Sequence, residues 1–220
     1  MAEVKATGEA LQPGFFIEVE GATDLYAKYV DRFLTHFGAA GPLEYPRLFR
    51  YTVPWSRTDC GQYPLDDGAA VRANIEHTLL LGCTFRVSGG KTSGDWSPDD
   101  PVFNSEGMRL MKAAIAARRF LIPYIDEGSF LDDVGLSSEG CEEATWFSGS
   151  QGLLLVAKVT SGEGSLRISL ANRDLLPGKA LDLDWQTGEW RPVSCAFTER
   201  ELEVKGLAPG LHLITIPAKS

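Results

Sequence analysis

The order of apolar and polar positions changes character once along this chain, near residue 126. Before that point, strand-like apolar runs at 15–20, 48–53 and 83–87 recur about every 33 residues. Each is followed by a loop and then an apolar stripe at helical spacing. The first run is close to continuously apolar, as a parallel strand covered on both faces requires. Thr23 or Asp24 can cap a helix after it, with Leu25, Tyr29, Phe33 and Phe37 at i, i+4 steps and Gly38 and Pro42 as the stop. The second run ends at Pro54. A polar loop over 55–65 leads to a helix capped by Asp66 or Asp67, striped with Val71, Ile75, Thr78 and Leu79 and closed by Gly82. The third run passes through a Gly-, Asp- and Pro-rich loop over 88–101 to a helix capped by Asn104 or Ser105. Its buried face is Met108, Met111, Ala114, Ile115 and Leu121, and Pro123 ends or kinks it.

Residues 126–143 are acidic and rich in Ser and Gly. Short strands follow at 145–148, 152–160, 165–171, 180–184, 190–196, 201–204 and 210–216, with turn sequences at 161–164, 176–178 and 208–210. The expected fold class is therefore α/β plus all-β. A partial (β/α) barrel of three βα units fills 1–130, and a small antiparallel β-sandwich fills 131–220. Three units are too few to close a barrel, so the pattern reads as the last part of a larger (β/α)8 enzyme.

Charge narrows the partners. A formal net charge of −9 argues against nucleic acid and anionic membrane, and no run of apolar residues approaches the length of a membrane span. The polar stretch 1–12 lacks the pattern of a signal peptide, which slightly favours the cytoplasm unless the true N-terminus lies upstream. Cys60, Cys83, Cys141 and Cys195 form no C-x-x-C pair, and His36, His77 and His212 stand at no metal-ligand spacing, so neither metal nor cofactor is expected. Gly89-Gly90-Lys91-Thr92 follows a strand but lacks the first glycine of a phosphate-binding loop.

In parallel βα architectures, reacting groups gather at the C-terminal ends of strands. Those ends would carry Glu18, Glu20 and Asp24; then Arg50, Tyr51, Trp55 and Asp59; then Arg86, Asp95 and Trp96. Carboxylates and guanidinium groups suit sugar hydroxyls, and indole suits a sugar ring face, so carbohydrate is the expected ligand. Glu20 is the candidate catalytic acid/base, with Asp24, Arg50, Tyr51, Trp55, Arg86, Asp95 and Trp96 as candidate substrate-binding residues. Two plainer readings stay open. Glu20 can instead form an ion pair with Arg50 on a neighbouring strand. Trp146, Trp185 and Trp190 belong either to the sandwich core or to a non-catalytic sugar-binding or interaction face.

The run Pro13-Gly14-Phe15-Phe16-Ile17-Glu18-Val19-Glu20-Gly21, with Asp24-Leu25-Tyr26 and Tyr29-Val30-Asp31, resembles a late barrel strand and helix of uncharacterised glycoside hydrolase-like proteins. These are related to the α-galactosidase-type (β/α)8 enzymes. Leu48-Phe49-Arg50-Tyr51-Thr52-Val53-Pro54 resembles the next strand. Leu181-Asp182-Leu183-Asp184, Thr187-Gly188 and Gly210-Leu211-His212-Leu213 are similar to the trailing sandwich. The resemblance implies barrel strands six to eight followed by the sandwich, and a nucleophile on strand four, outside this chain. Glu20, or Asp24, would be the acid/base. Hydrolysis of O-glycosidic bonds would then need a complementing N-terminal barrel segment, a partner chain or self-association.

Overall fold

The computed structural model describes residues 1–20, 27–34, 44–54, 57–59, 63–65, 67–85, 87–88, 99–170, 179–198 and 200–218. Helix α1 (Ala2–Leu11) precedes three short strands, β1 (Glu18–Glu20), β2 (Arg32–Leu34) and β3 (Arg57–Thr58). These pair in parallel in the order β1-β2-β3, and Thr84 adds to the far side through a parallel bridge with Asp59. Helix α2 (Glu44–Thr52) lies between β2 and β3, and a second parallel pair joins β4 (Tyr63–Pro64) to β5 (Val87–Ser88). Ile17, Val30, Phe33, Phe49 and Val53 form a small core under this ribbon, with Phe33 and Phe49 edge to face at 5.1 Å.

Two expectations fail here. The expected helix after residue 23 is instead a 3-10 turn at Ala27–Tyr29 and the strand β2, with 21–26 and 35–40 outside the described residues. Asp31 fixes this path, because its carboxylate accepts from the Ile17 amide at 2.8 Å and from Lys5 at 2.6 Å. Arg32 then meets Glu18 at 2.9 Å, which holds β2 beside β1. The expected strand at 48–53 is helix α2. Phe49, Arg50 and Val53 are buried while Leu48, Tyr51 and Thr52 are exposed, a one-sided pattern at helical rather than alternating period. Consequently the parallel strands begin at Glu18, Arg32, Arg57 and Thr84 without the even spacing expected.

The next two helices form where expected. Asp67 caps α3 (Gly68–Leu81) by accepting from the amides of Ala69 and Ala70, both at 3.0 Å, and Gly82 ends it in the left-handed region at φ 63°. Ser105 caps α4 (Glu106–Ile125) by accepting from the Met108 amide at 3.1 Å. Pro123 falls in the last turn, and the helix continues to Ile125.

Two antiparallel sheets follow. The larger comprises β6 (Ser129–Asp132), β8 (Cys141–Gly149), β9 (Gly152–Val159), β11 (Leu181–Leu183), β12 (Trp190–Pro192) and β15 (Gly210–Pro217), in the order β12-β11-β15-β9-β8-β6. The smaller orders β13 (Cys195–Phe197), β14 (Glu201–Leu207), β10 (Gly164–Ser169) and β7 (Leu136–Glu139) as β13-β14-β10-β7. Each expected strand region of the tail holds strand, but the single strand expected over 190–196 is two, β12 in the larger sheet and β13 in the smaller. The acidic stretch before them adds β6 and β7, edge strands that need little apolar sequence because each pairs on one side only.

The large sheet is covered on both faces. Leu153, Leu155 and Ala157 of β9 face the small sheet, with Trp146, Leu166, Ile168, Leu202, Val204, Ile214 and Ile216. Leu154 and Val156 face α3 and α4, with Phe147, Leu183, Leu213, Ile75, Leu79 and Leu121. This explains why β9 is apolar at nearly every position. Thr145, on the helix side, donates its hydroxyl to the Leu80 carbonyl, so this buried polar group is satisfied.

Candidate functional site

Parallel pairing fixes which residues end the ribbon together. Glu20 faces Leu34, and Phe33 faces Thr58, so the same register carried one residue further sets Asp59 opposite Leu34. Asp59 in turn bridges Thr84. Positions 20, 34, 59 and 84 thus form one row at the C-terminal edge of the strands. Its two acidic members are two inter-strand steps apart, roughly 10 Å between backbones. Asp59 is fully buried. The Thr58 carbonyl accepts from both the amide (2.7 Å) and the hydroxyl (3.1 Å) of Thr84, which pins this end of the row.

Of the residues expected to make the site, Glu20 ends β1 as anticipated. Asp24, Trp55, Arg86, Asp95 and Trp96 lie outside the described residues. Arg50 and Tyr51 are on α2 and turn to the sandwich. The Arg50 guanidinium lies over the Phe130 ring at 5.4 Å, and the Tyr51 hydroxyl donates to Asp132 at 3.3 Å. An ion pair of Glu20 with Arg50 as residues of adjacent strands loses its premise, because Arg50 is helical.

Sequence reasoning placed Asp59 at a strand end without joining it to Glu20. Arg57-Thr58-Asp59 carries no apolar run, and the register alone brings the two positions together. A second polar group, at the join of α2 and the sandwich, left no sequence signal at all. There Arg47 Nε lies 3.2 Å from Asp132 Oδ1, and its Nη2 lies 3.9 Å from Glu143. Burial pushes the Asp132 and Glu143 carboxyls above their ordinary range, against the pull of Arg47. Burial and the neighbouring Asp132 also raise the Tyr51 phenol.

The sandwich tryptophans make packing contacts. Trp146 and Trp185 are buried, and the Trp146 indole donates to the Val134 carbonyl at 2.9 Å. Trp190 is half-buried and meets Phe120 edge to face at 6.0 Å. Among the described residues no group of three or more His, Cys, Asp or Glu is arranged to hold a metal ion. No helix among them is long and apolar enough to cross a membrane.

No family model matches the chain, and no curated protein matches it by sequence. Solved structures do match its fold. A noncanonic maltogenic α-amylase, AmyB from Thermotoga neapolitana, superposes with a TM-score of 0.57 at 7% identity, over 100% of this chain and 58% of that one. An Anoxybacillus α-amylase, described as giving insights into a new glycosyl hydrolase subclass, superposes with a TM-score of 0.54 at 12% identity, over 99% of this chain and 56% of that one. The fold is glycoside hydrolase-like. The chain therefore spans less than two thirds of the length of either α-amylase.

Proposed function

We propose that this chain is the C-terminal portion of a glycoside hydrolase that cleaves O-glycosidic bonds when further parallel strands extend the ribbon at β1. The observation that carries the reading is the row that sets Glu20 and Asp59 together at the C-terminal edge of parallel strands, in a glycoside hydrolase-like fold. Glycosidic cleavage needs a proton for the leaving oxygen and negative charge beside the oxocarbenium-like centre that forms as it departs. Glu20 supplies the proton. Asp59, at the other end of the row, stabilises the developing positive charge.

Asp24, Trp55, Arg86, Asp95 and Trp96 are the proposed sugar-binding residues. Arg50 and Tyr51 instead hold α2 in place. The resemblance of 13–31 to uncharacterised glycoside hydrolase-like relatives of the α-galactosidase-type enzymes supports a hydrolase reading, and β1, whose partner among the described residues is β2 alone, supports a complementing segment or partner chain. Burial of Trp146 and Trp185 leaves the half-buried Trp190 as the one ring of those three open to a sandwich-borne sugar site.

The test is release of reducing sugar from α- and β-linked oligosaccharides by this chain as part of its longest open reading frame. Glu20→Gln should lower the rate by about 10²–10⁴-fold, and Asp59→Asn should lower kcat with little change in KM. Wild-type turnover in Glu20→Gln would overturn the assignment.

A further inference from the structure

The ribbon with α2 has its own small core, separate from the one that joins α3 and α4 to the large sheet. What ties α2 to the sandwich is mostly polar and aromatic. Tyr51 donates to Asp132 and lies 5.9 Å from the Phe130 ring, Arg50 covers the same ring, and Arg47 stands between Asp132 and Glu143. Asp132 takes part from an unusual backbone. It is the one non-glycine residue at positive φ (51°) among those described, and it sits at a register shift in the pairing of β6 with β8. Holding that conformation turns its carboxylate inward, with the residue 5% exposed.

The charges at this joint are unequal. Arg47 is the cation that meets Asp132, and it is shared with Glu143. Around them, Asp133 from the β6 end and Glu142 from β8 add negative charge. The next cation, Lys158 of β9, is engaged by Glu142 at 3.0 Å and by Glu76 of α3 at 3.9 Å. A buried and a half-buried carboxylate on one guanidinium are relieved most cheaply by a proton on one of them.

We propose that α2 is held to the sandwich by a proton-linked joint, in which Asp132 and Glu143 share Arg47 and close on it more firmly as pH falls. The sign follows from burial. Carboxyls whose affinity for protons is higher in the closed joint take up protons on closing, so closing is favoured toward acid and weakened as pH rises. A joint that takes up one proton changes its closing constant by up to about tenfold per pH unit between its open and closed titrations. Because α2 connects β2 to β3, the joint also governs how firmly the strand bearing the Asp59 row is held. The proposal itself needs no catalytic activity.

Hydrogen exchange on the whole chain tests it, with protection factors corrected for intrinsic exchange. Between pH 4 and 7.5, protection of 44–54 and 129–132 should fall several-fold more than that of α4, which reports any global change. Asp132→Asn keeps the shape and tolerates the positive φ, and Glu143→Gln leaves the strained position untouched. Each should flatten the pH dependence of 44–54 to that of α4. Equal protection of the wild-type joint at both pH values, a rise toward pH 7.5, or an unchanged slope in both variants would overturn the proposal.

Discussion

His212 Nδ1 lies 2.6 Å from Asp182 Oδ2 on the neighbouring strand, while its Nε2 lies 2.7 Å from the Ala208 carbonyl oxygen. Both partners accept hydrogen bonds, so only the doubly protonated imidazolium satisfies both. Asp182 is further held by the Leu213 amide at 2.9 Å. Burial alone would lower the His212 pKa, but the bonds to Asp182 and Ala208 outweigh it and the pKa is raised. The pair's stabilisation is therefore full below the unfolded-state pKa of about 6.5 and is lost as pH rises through the folded value. Asp182→Asn should cost about 1–3 kcal/mol at pH 6 and distinctly less at pH 9, read from urea unfolding midpoints. An equal loss at both pH values would contradict the charged pairing.

The turn that ends α3 has no room for a side chain. A Cβ on Gly82 would stand 2.6 Å from the Phe147 ring and 3.0 Å from Ile125, at a φ that already disfavours L-residues. Gly82→Ala should destabilise by about 2–4 kcal/mol. Phe147→Leu in the same chain should recover part of that cost, as a double-mutant cycle by guanidinium unfolding would reveal.

The two helix caps differ in what they hold. Asp67 bonds amides of its own helix, whereas Ser105 also donates to the Leu65 carbonyl at 2.7 Å. Asp67→Ala should cost about 1 kcal/mol. Ser105→Ala should cost more, about 2 kcal/mol, because a carbonyl across the fold also loses its donor. Thermal midpoints of the two variants should keep that order.

Much of the fold was legible where one physical signal dominated. Helices α3 and α4 announced themselves through Asp67, Ser105 and Gly82, and the tail strands through turn residues at hairpin spacing. The ribbon was not legible, because its strands are only two or three residues long and owe their existence to pairing rather than to apolar runs. Leu25, Tyr29, Phe33 and Phe37 mimicked a helical stripe, but Phe33 is buried from a strand. The stretch from Leu48 to Val53 read as a strand because aromatic and β-branched residues crowd it, while the burial of Phe49 and Val53 four residues apart is helical. Glu20 was legible as a strand-end carboxylate. Its partner position at Asp59 required the register, and the Arg47–Asp132 joint required contact between segments distant in sequence.

The double covering of β9 makes neighbouring residues on one strand answer to different halves of the molecule. Leu154→Ala should loosen the seat of α3 and α4, and Leu155→Ala the grip of the small sheet, each costing about 2–5 kcal/mol. A stretch beginning at residue 131 and made without the helices would present Phe147, Leu154, Val156, Leu183 and Leu213 to water as one continuous oily wall. It would be expected to clump or to bind a hydrophobic dye rather than behave as a free-standing module. The strand at the centre is thus a party wall, and neither neighbour can be removed without exposing its own side of it.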